Sequence, residues 1–217
     1  MKVIRFSGVR LQGNYTYIAQ LQTLVKTVVE QAGSLFTESL NTPYLYWDNE
    51  RTKSLEQIVG DHLCNGEVFI AYDEDKPAGF ASFRNIVPGR HAFLEIFILP
   101  EYRKGHFLKE FRKILYDAAF SEYPKGLQLL KIKASISPHN TASIKACLNS
   151  GFVKIATIPY EGLYDGKVSD MLLMEKYANE LQNSMQGEVI QNGSTTRTNK
   201  RKPVRSRAAV VKHGRKL

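Results

Sequence analysis

Apolar residues follow two different periods along residues 1–176, and together these periods predict strands and helices in a mixed order. Strands are predicted over residues 2–7, 67–73, 78–87, 93–99, 127–137, 152–159 and 167–176. Helices are predicted over residues 16–31, 54–63, 107–118 and 140–150, and residues 37–50 are predicted as an aromatic loop. This order predicts an α/β fold with a single mixed central sheet flanked by helices.

The net positive charge of the chain comes entirely from its last 27 residues. Residues 1–190 contain 21 Lys and Arg against 21 Asp and Glu, whereas residues 191–217 contain 9 Lys and Arg and no acid. The segment 191–217 also lacks aromatic residues, so we predict a disordered basic tail. We accordingly expect a domain over residues 1–176, a helical extension or linker over 177–190, and the tail over 191–217.

A basic tail of this kind is suited to nonspecific contact with nucleic acid phosphates, although charge runs are often merely solvated. The cluster NKRKPVR at residues 199–205 also fits an address for nuclear import or for ribosome association. The sequence leaves these alternatives open.

Composition limits the class of protein before any site is considered. At 217 residues and 43% hydrophobic, the chain can bury a sizeable core. No apolar run approaches the roughly 20 residues that a membrane span needs. Two cysteines, Cys64 and Cys147, predict a reducing, cytoplasmic location. His106 and His139 lack partners at metal-ligand spacing, so no metal site is predicted.

The most informative segment runs from Phe93 to Phe152. An apolar strand leads through Pro100 and a basic glycine turn into an amphipathic helix, an arrangement that can hold phosphate on unpaired N–H groups. A second strand then leads to Asn140, which can cap a short helix that ends at Gly151. Ordinary capping accounts for Asn140 and Gly151 equally well.

These two motifs, with the order of elements, resemble the GNAT superfamily of acetyl-CoA-dependent N-acetyltransferases. The resemblance covers residues 1–176 in element order, and its specific motifs lie between Glu95 and Phe152. It implies that the strand at Ile96, Phe97 and Ile98 binds the pantetheine arm of acetyl-CoA. It also implies further cofactor contacts, at Arg103, Lys104, Gly105, His106, Phe107 and Leu108 in the pyrophosphate turn, and at Asn140 and Ser143.

The sequence departs from the family pattern at two positions. Phe107 stands where the turn normally ends in a small residue, and Cys147 stands where many members carry the Tyr that protonates the departing thiolate. The resemblance therefore implies Cys147 as the candidate proton donor. A thiol has an unperturbed pKa near 8.5, which suits that role in principle.

Acetylation of an amine requires a group that takes a proton from the amine. Glu95 is the acid in the strand at residues 93–99 and is our candidate base, with Asp170 as a weaker alternative. A backbone N–H of the strand around residues 96–98 would stabilise the oxyanion. Tyr44, Tyr46, Trp47 and Tyr164 are candidates for the wall of the acceptor pocket.

The sequence thus predicts an enzyme that transfers an acetyl group from acetyl-CoA to an amine on a small molecule or a protein. The alternative is a catalytically silent protein of the same fold. In that interpretation Phe107 and Cys147 mark lost catalysis, and the tail attaches the domain to nucleic acid or to a nucleoprotein particle.

Overall fold

The computed structural model describes residues 1–8, 17–45, 52–64, 66–103 and 105–179, with the backbone alone at residues 44 and 45. The chain divides into two units, Met1–Gln182 and Asn183–Leu217. The second unit lies outside the described residues, as does most of the predicted extension and all of the predicted tail.

A mixed sheet of eight strands forms the centre of the first unit. The strands are β1 (Lys2–Ser7), β2 (Tyr44–Leu45), β3 (Glu67–Asp73), β4 (Lys76–Val87), β5 (His91–Ile98), β6 (Lys131–Ile136), β7 (Val153–Tyr164) and β8 (Lys167–Tyr177). Their order across the sheet is β1-β3-β4-β5-β6-β8-β7-β2. Neighbouring strands are antiparallel except for β5 and β6, which are parallel.

Helices cover both faces of this sheet, which gives the α/β architecture predicted from the sequence. The helices are α1 (Tyr17–Leu40), α2 (Leu55–Cys64), α3 (His106–Phe120) and α4 (Thr141–Asn149). The core on one face includes buried residues of α1 and α2, such as Phe36 and Leu63. The core on the other face includes Phe111 and Leu115 of α3, with Ile144 and Cys147 of α4 packed against it.

Local capping explains where two of the helices begin. The Ser54 hydroxyl accepts from the Gln57 N–H at 3.3 Å, and the Gln57 side chain accepts from the Ser54 N–H at 2.8 Å. This reciprocal pair is a capping box, and it fixes the start of α2. The Asn140 side chain accepts from the Ser143 N–H at 3.1 Å and starts α4.

The prediction for the first helix was too short. Helix α1 continues to Leu40 through a kink at Ala32, so residues 37–40 are helical rather than loop. Leu35 and Phe36 are buried beyond the kink, at 1% and 0% exposure. Their burial outweighs the break that Ala32 introduces into the helix.

Several strands also differ from prediction. Strand β6 begins at Lys131 rather than at residue 127, and Gln128 adopts a positive φ of 51° before it. Strand β7 extends to Tyr164 through an irregularity between Ile158 and Gly162. The short strand β2 was not predicted and pairs with the end of β7. No helix in the described ranges is long and apolar enough to cross a membrane.

Candidate active site

The two parallel strands at the centre of the sheet separate soon after they meet. Strands β5 and β6 pair at only three positions, from His91 with Lys131 to Phe93 with Lys133, although both strands continue beyond them. We call the resulting opening, between residues 94–98 of β5 and 134–136 of β6, the β5–β6 gap. It exposes main-chain groups in the middle of a sheet, where ladder bonds would otherwise use them.

The register shows which main-chain groups of β5 face the gap. The Leu99 N–H donates to the Ala78 carbonyl at 3.0 Å, so Leu99 directs its main-chain groups toward β4. Because this direction alternates along an antiparallel strand, Phe97 also faces β4, whereas Ile96 and Ile98 face the gap. Of the three strand residues predicted to bind pantetheine, Phe97 therefore contributes no main-chain group to the gap.

The two faces of the sheet present different side chains beside the gap. Ile96 and Ile98 belong to the core that α3 covers, whereas Phe97 packs in the core that α1 and α2 cover. By the same alternation Glu95 lies on the α1–α2 face. The two faces of the sheet therefore differ beside the gap, with Glu95 on only one of them.

Glu95 is a partly exposed carboxylate with a basic neighbour. Its side chain is 45% exposed, and its Oε2 lies 3.3 Å from Nη1 of Arg84 on β4. An exposed ion pair of this kind contributes little to stability, so Glu95 can change partners at small cost. These properties suit a carboxylate that must take up a proton.

A buried polar pair lies on the same face as Glu95. His62 Nδ1 is 2.7 Å from the Ser82 hydroxyl oxygen, and Ser82 pairs with Glu95 in the register of β4 and β5. The His62 ring contacts Phe36 and Phe80 edge-on. Burial lowers the pKa of His62, and the Glu95 carboxylate opposes this shift, so the imidazole stays neutral near pH 7.

The turn after β5 leads into the N-terminus of α3, as predicted. A 3-10 turn, Pro100–Tyr102, precedes Arg103, whose Nε donates to the Ile98 carbonyl at 2.9 Å. Gly105 then caps α3 with a φ of 86°, a conformation that L side chains rarely adopt. His106 is 81% exposed and pairs with Glu110 at 3.2 Å, while Lys104 lies outside the described residues.

Phe107 does not compete with a ligand for the outer side of this turn. Its ring packs against the α3 core and lies 5.1 Å from the Tyr102 ring, measured between centroids. A Cβ added at Gly105 would meet no heavy atom of the described residues within 4 Å, its chain neighbours aside. The bulky residue is thus accommodated by the core, and the space beside the glycine stays open.

A basic groove follows α3 from this turn and ends beside the last residues of α4. The residues that line this α3 groove are Arg103, Gly105, Leu108, Lys109, Arg112, Lys113, Tyr116, Asp117, Phe120, Ser121, Asn149, Ser150, Lys176 and Asn179. Five of them are cationic and one is acidic, and that acid, Asp117, pairs with Lys113 at 2.7 Å. The groove is therefore suited to an elongated polyanion.

Cys147 is a protonated thiol at neutral pH. Burial raises its pKa, and the Arg112 guanidinium opposes the shift only in part. Cys147 packs against the α3 core, two residues before the end of α4. This environment keeps the proton that a donor would need, and it equally fits an inert buried cysteine.

The predicted acceptor wall is only partly described. Tyr164 stacks on His139 with 4.1 Å between ring centroids and 15° between planes. The backbone of Tyr44 pairs with that of Tyr164, whereas Tyr46 and Trp47 lie outside the described residues. His139 had no predicted role, because nothing in the sequence places it beside Tyr164.

The alternative base, Asp170, is engaged elsewhere. Its Oδ1 accepts from the Tyr160 N–H at 3.2 Å, and Tyr160 holds a positive φ of 57° in the irregular part of β7. The Asp170 carboxylate therefore supports a strained backbone position. Within the described ranges, no three or more His, Cys, Asp and Glu side chains cluster as a metal site.

Comparisons with known proteins agree with this architecture. Residues 32–153 match the family profile described as "Acetyltransferase (GNAT) domain". No curated protein matches the sequence significantly. Many solved structures do match, and three of them are described below by their sequence identity, TM-score and coverage.

The first of the three is a chimera of the spermidine N-acetyltransferase SpeG from Vibrio cholerae and hSSAT, at 18% identity and a TM-score of 0.58. That match covers 73% of this chain and 94% of the chimera. SpeG from Vibrio cholerae in complex with manganese ions has 17% identity, a TM-score of 0.55 and coverages of 84% and 95%. The protein smu.2055 from Streptococcus mutans has 15% identity, a TM-score of 0.60 and coverages of 82% and 99%. At these identities the likeness concerns the fold.

Proposed function

Since the chain belongs to the acetyltransferase (GNAT) domain family and is an acyltransferase of that family, we propose that it transfers an acetyl group from acetyl-CoA to a primary amine. The observation that carries this proposal is the β5–β6 gap, which opens beside the glycine turn of α3.

The residues around the gap fit the shape and charge of acetyl-CoA. The main-chain groups of Ile96 and the N–H of Ile98 can pair with the amides of the pantetheine arm as a neighbouring strand would, while the Ile98 carbonyl accepts from Arg103. The first turn of α3 contains no acidic residue, and its N–H groups can bind the pyrophosphate. The cations of the α3 groove would neutralise the remaining phosphate charge.

The acceptor amine reaches the gap from the opposite face in this proposal. Amines are protonated in water, and Glu95 is the carboxylate on the α1–α2 face beside the gap. Glu95 takes a proton from the amine, directly or through water, and the amine nitrogen then attacks the thioester carbonyl carbon. The Ile96 or Ile98 N–H stabilises the negative charge that develops on the carbonyl oxygen.

Collapse of the tetrahedral intermediate breaks the carbon–sulfur bond and leaves a thiolate that needs a proton. We propose the Cys147 thiol as the donor, because burial raises its pKa and keeps it protonated at neutral pH. Replacement of Cys147 by Ala should then lower kcat without changing acetyl-CoA affinity. An unchanged kcat would indicate that water, and not Cys147, supplies the proton to the departing thiolate.

The acceptor class is proposed from chemistry and from the names of the structural neighbours. Two of the neighbours are named for spermidine N-acetylation, so a polyamine is a reasonable first substrate to test. Tyr164 and His139 would form an aromatic wall beside the acceptor. Such a wall can contact an alkylammonium group through cation–π attraction.

The test combines binding and turnover on the full chain. We expect calorimetry to detect binding of both acetyl-CoA and coenzyme A. We expect a thiol-release assay to detect turnover with spermidine, lysine amide or alanine amide. Binding without turnover would favour the catalytically silent alternative. Absence of binding to both forms of the cofactor would refute the proposal.

A further inference from the structure

A buried hydroxyl lies beside the β5–β6 gap without a hydrogen-bond partner. The hydroxyl oxygen of Ser135, on β6, is inaccessible to solvent and has no partner in the described part of the chain. Other buried serines there are satisfied: Ser82 bonds to His62 at 2.7 Å, and the Ser137 oxygen accepts from the His139 N–H at 3.3 Å. An unsatisfied buried hydroxyl is costly, so its position calls for a reason.

The register places Ser135 opposite Glu95. Phe93 and Lys133 form the last pair between β5 and β6, and Lys133 Nζ lies 5.5 Å from the Phe93 ring centroid, so both side chains share a face. Two residues further along each strand, Glu95 and Ser135 lie on that same face. They are the first residues of this face on the two sides of the gap.

The face that carries Ser135 is the one that carries Glu95, and not the one covered by α3. The neighbours of Ser135 along β6, Ala134 and Ile136, belong to the α3 core, so the Ser135 side chain projects to the opposite side. The hydroxyl is therefore separated by the sheet from the α3 groove and its cations. The hydroxyl oxygen exposes almost no surface to solvent, so a partner from the acceptor side reaches it only when neighbouring side chains move.

We propose that Ser135 is a positioning residue for the acceptor amine, which it binds opposite Glu95. The Ser135 oxygen accepts one N–H bond from the amine, while Glu95 accepts a second N–H and takes its proton. No bond to Ser135 is made or broken, and its hydroxyl keeps its own proton. This inference rests on the acetyl transfer proposed above and assigns the second contact of the nucleophile.

The experiment compares Ser135→Ala with Ser137→Ala, a control directly after the end of β6 whose hydroxyl already has a partner. Acceptor saturation curves are measured with spermidine and with lysine amide at saturating acetyl-CoA, and melting temperatures are measured without ligand. In Ser135→Ala we expect the KM for the amine to rise about fivefold to tenfold, with kcat within about twofold. The pH profile and the affinity for acetyl-CoA should not change.

The melting temperature separates this role from a structural one. Removal of an unsatisfied hydroxyl should leave the melting temperature of Ser135→Ala equal to that of wild type or higher, whereas Ser137→Ala should melt lower because it loses a bond. An unchanged KM, or a melting temperature that falls as in Ser137→Ala, would overturn the inference. If the wild-type protein acetylates neither amine, the proposed function fails and this inference fails with it. Wild-type activity with an unchanged KM in Ser135→Ala refutes the role of Ser135 alone.

Discussion

Glu95 and His62 lie on the same side of the sheet in different environments. The Glu95 side chain is 45% exposed and pairs with Arg84, whereas His62 is 5% exposed and bonds to Ser82. The exposed carboxylate can exchange protons with solvent, and the buried imidazole resists protonation. The two groups therefore govern different measurable properties, the reaction rate and the stability of the fold.

Replacement of Glu95 by Gln should lower the acetylation rate and leave acetyl-CoA affinity nearly unchanged. General-base assistance contributes roughly 10²- to 10⁴-fold, and the loss should be largest at low pH, where the amine is most protonated. Glu122→Gln, a change of an exposed acid after α3, serves as the control. A loss below about fivefold would exclude Glu95 as the base and favour a water relay.

His62 should make stability fall in mild acid. Its pKa is lowered on folding, so between the unfolded value of about 6.5 and the lower folded value the unfolded chain binds more protons. The stability that comes from keeping His62 neutral is fully present above this pH window. It is lost as pH falls through the window, by up to about 1.4 kcal/mol per pH unit. Urea denaturation measured from pH 7.5 to 5 should show a smaller loss of unfolding free energy for His62→Gln than for the wild type.

The unfolding free energy of His62→Gln should still fall somewhat with falling pH, because burial and the nearby lysines also lower the pKa of His91. Parallel curves for His62→Gln and the wild type would show that His62 does not control this part of the pH dependence.

Single residues also mark how far the sequence could predict the site. Asn140 and Gly105 were predictable, because capping and positive φ depend on local sequence. Ser135 and Ser82 were not, since their importance arises from strand register and from burial. Two serines in apolar strands carry no local signal that separates them from solvated ones.

At the scale of elements, the turn between β5 and α3 joins the strand of the gap to the basic groove. Arg103 belongs to both, because its Nε bonds the Ile98 carbonyl and its side chain lines the groove. The arginine therefore has a structural contact as well as a proposed one to phosphate. A binding experiment must separate the two.

Combined replacement of Arg103 and Lys104 by Ala should weaken acetyl-CoA binding by about 1–3 kcal/mol, the range for lost charge-assisted contacts. Arg90→Ala, which removes one positive charge at the exposed turn before β5, is the control for loss of charge away from the proposed site. Calorimetry with both variants, after their melting temperatures are checked, gives the comparison. Equal affinities in all three proteins would place the pyrophosphate elsewhere.

Most of the elements were predictable, and the exceptions have a common cause. β1, the hairpin of β3 and β4, and helices α2 to α4 follow from periodicity and from turn and cap residues. The last turns of α1, the strand β2 and the length of β7 depend on contacts with distant parts of the chain. Local sequence cannot specify contacts of that kind.

At the scale of the whole molecule, charge is divided unequally along the chain. Residues 1–190 are neutral overall, and residues 191–217 carry all nine excess positive charges. Any long-range attraction to nucleic acid should therefore come from the last segment. The predicted disorder of that segment stays a prediction, as does the predicted cytoplasmic location.

Truncation after Gly187 should abolish nonspecific DNA binding and leave acetyl-CoA affinity and the melting temperature unchanged. If about six phosphates are neutralised, log affinity should fall against log salt with a slope near −5 for the full chain. A salt titration of both proteins on one duplex measures this slope. Equal affinities would assign the contact to the neutral part of the chain.

The early separation of β5 from β6 has a consequence for the rate at which backbone amides exchange with deuterium. The amides of Glu95 and Phe97 face β4, whereas those of Ile96 and Ile98 face the gap, so protection along one strand should alternate from residue to residue. Acetyl-CoA bound in the gap would act as a temporary strand between two half-sheets. It should slow exchange at Ile96 and Ile98 and remove the alternation, because the ligand then supplies the hydrogen bonds that β6 does not.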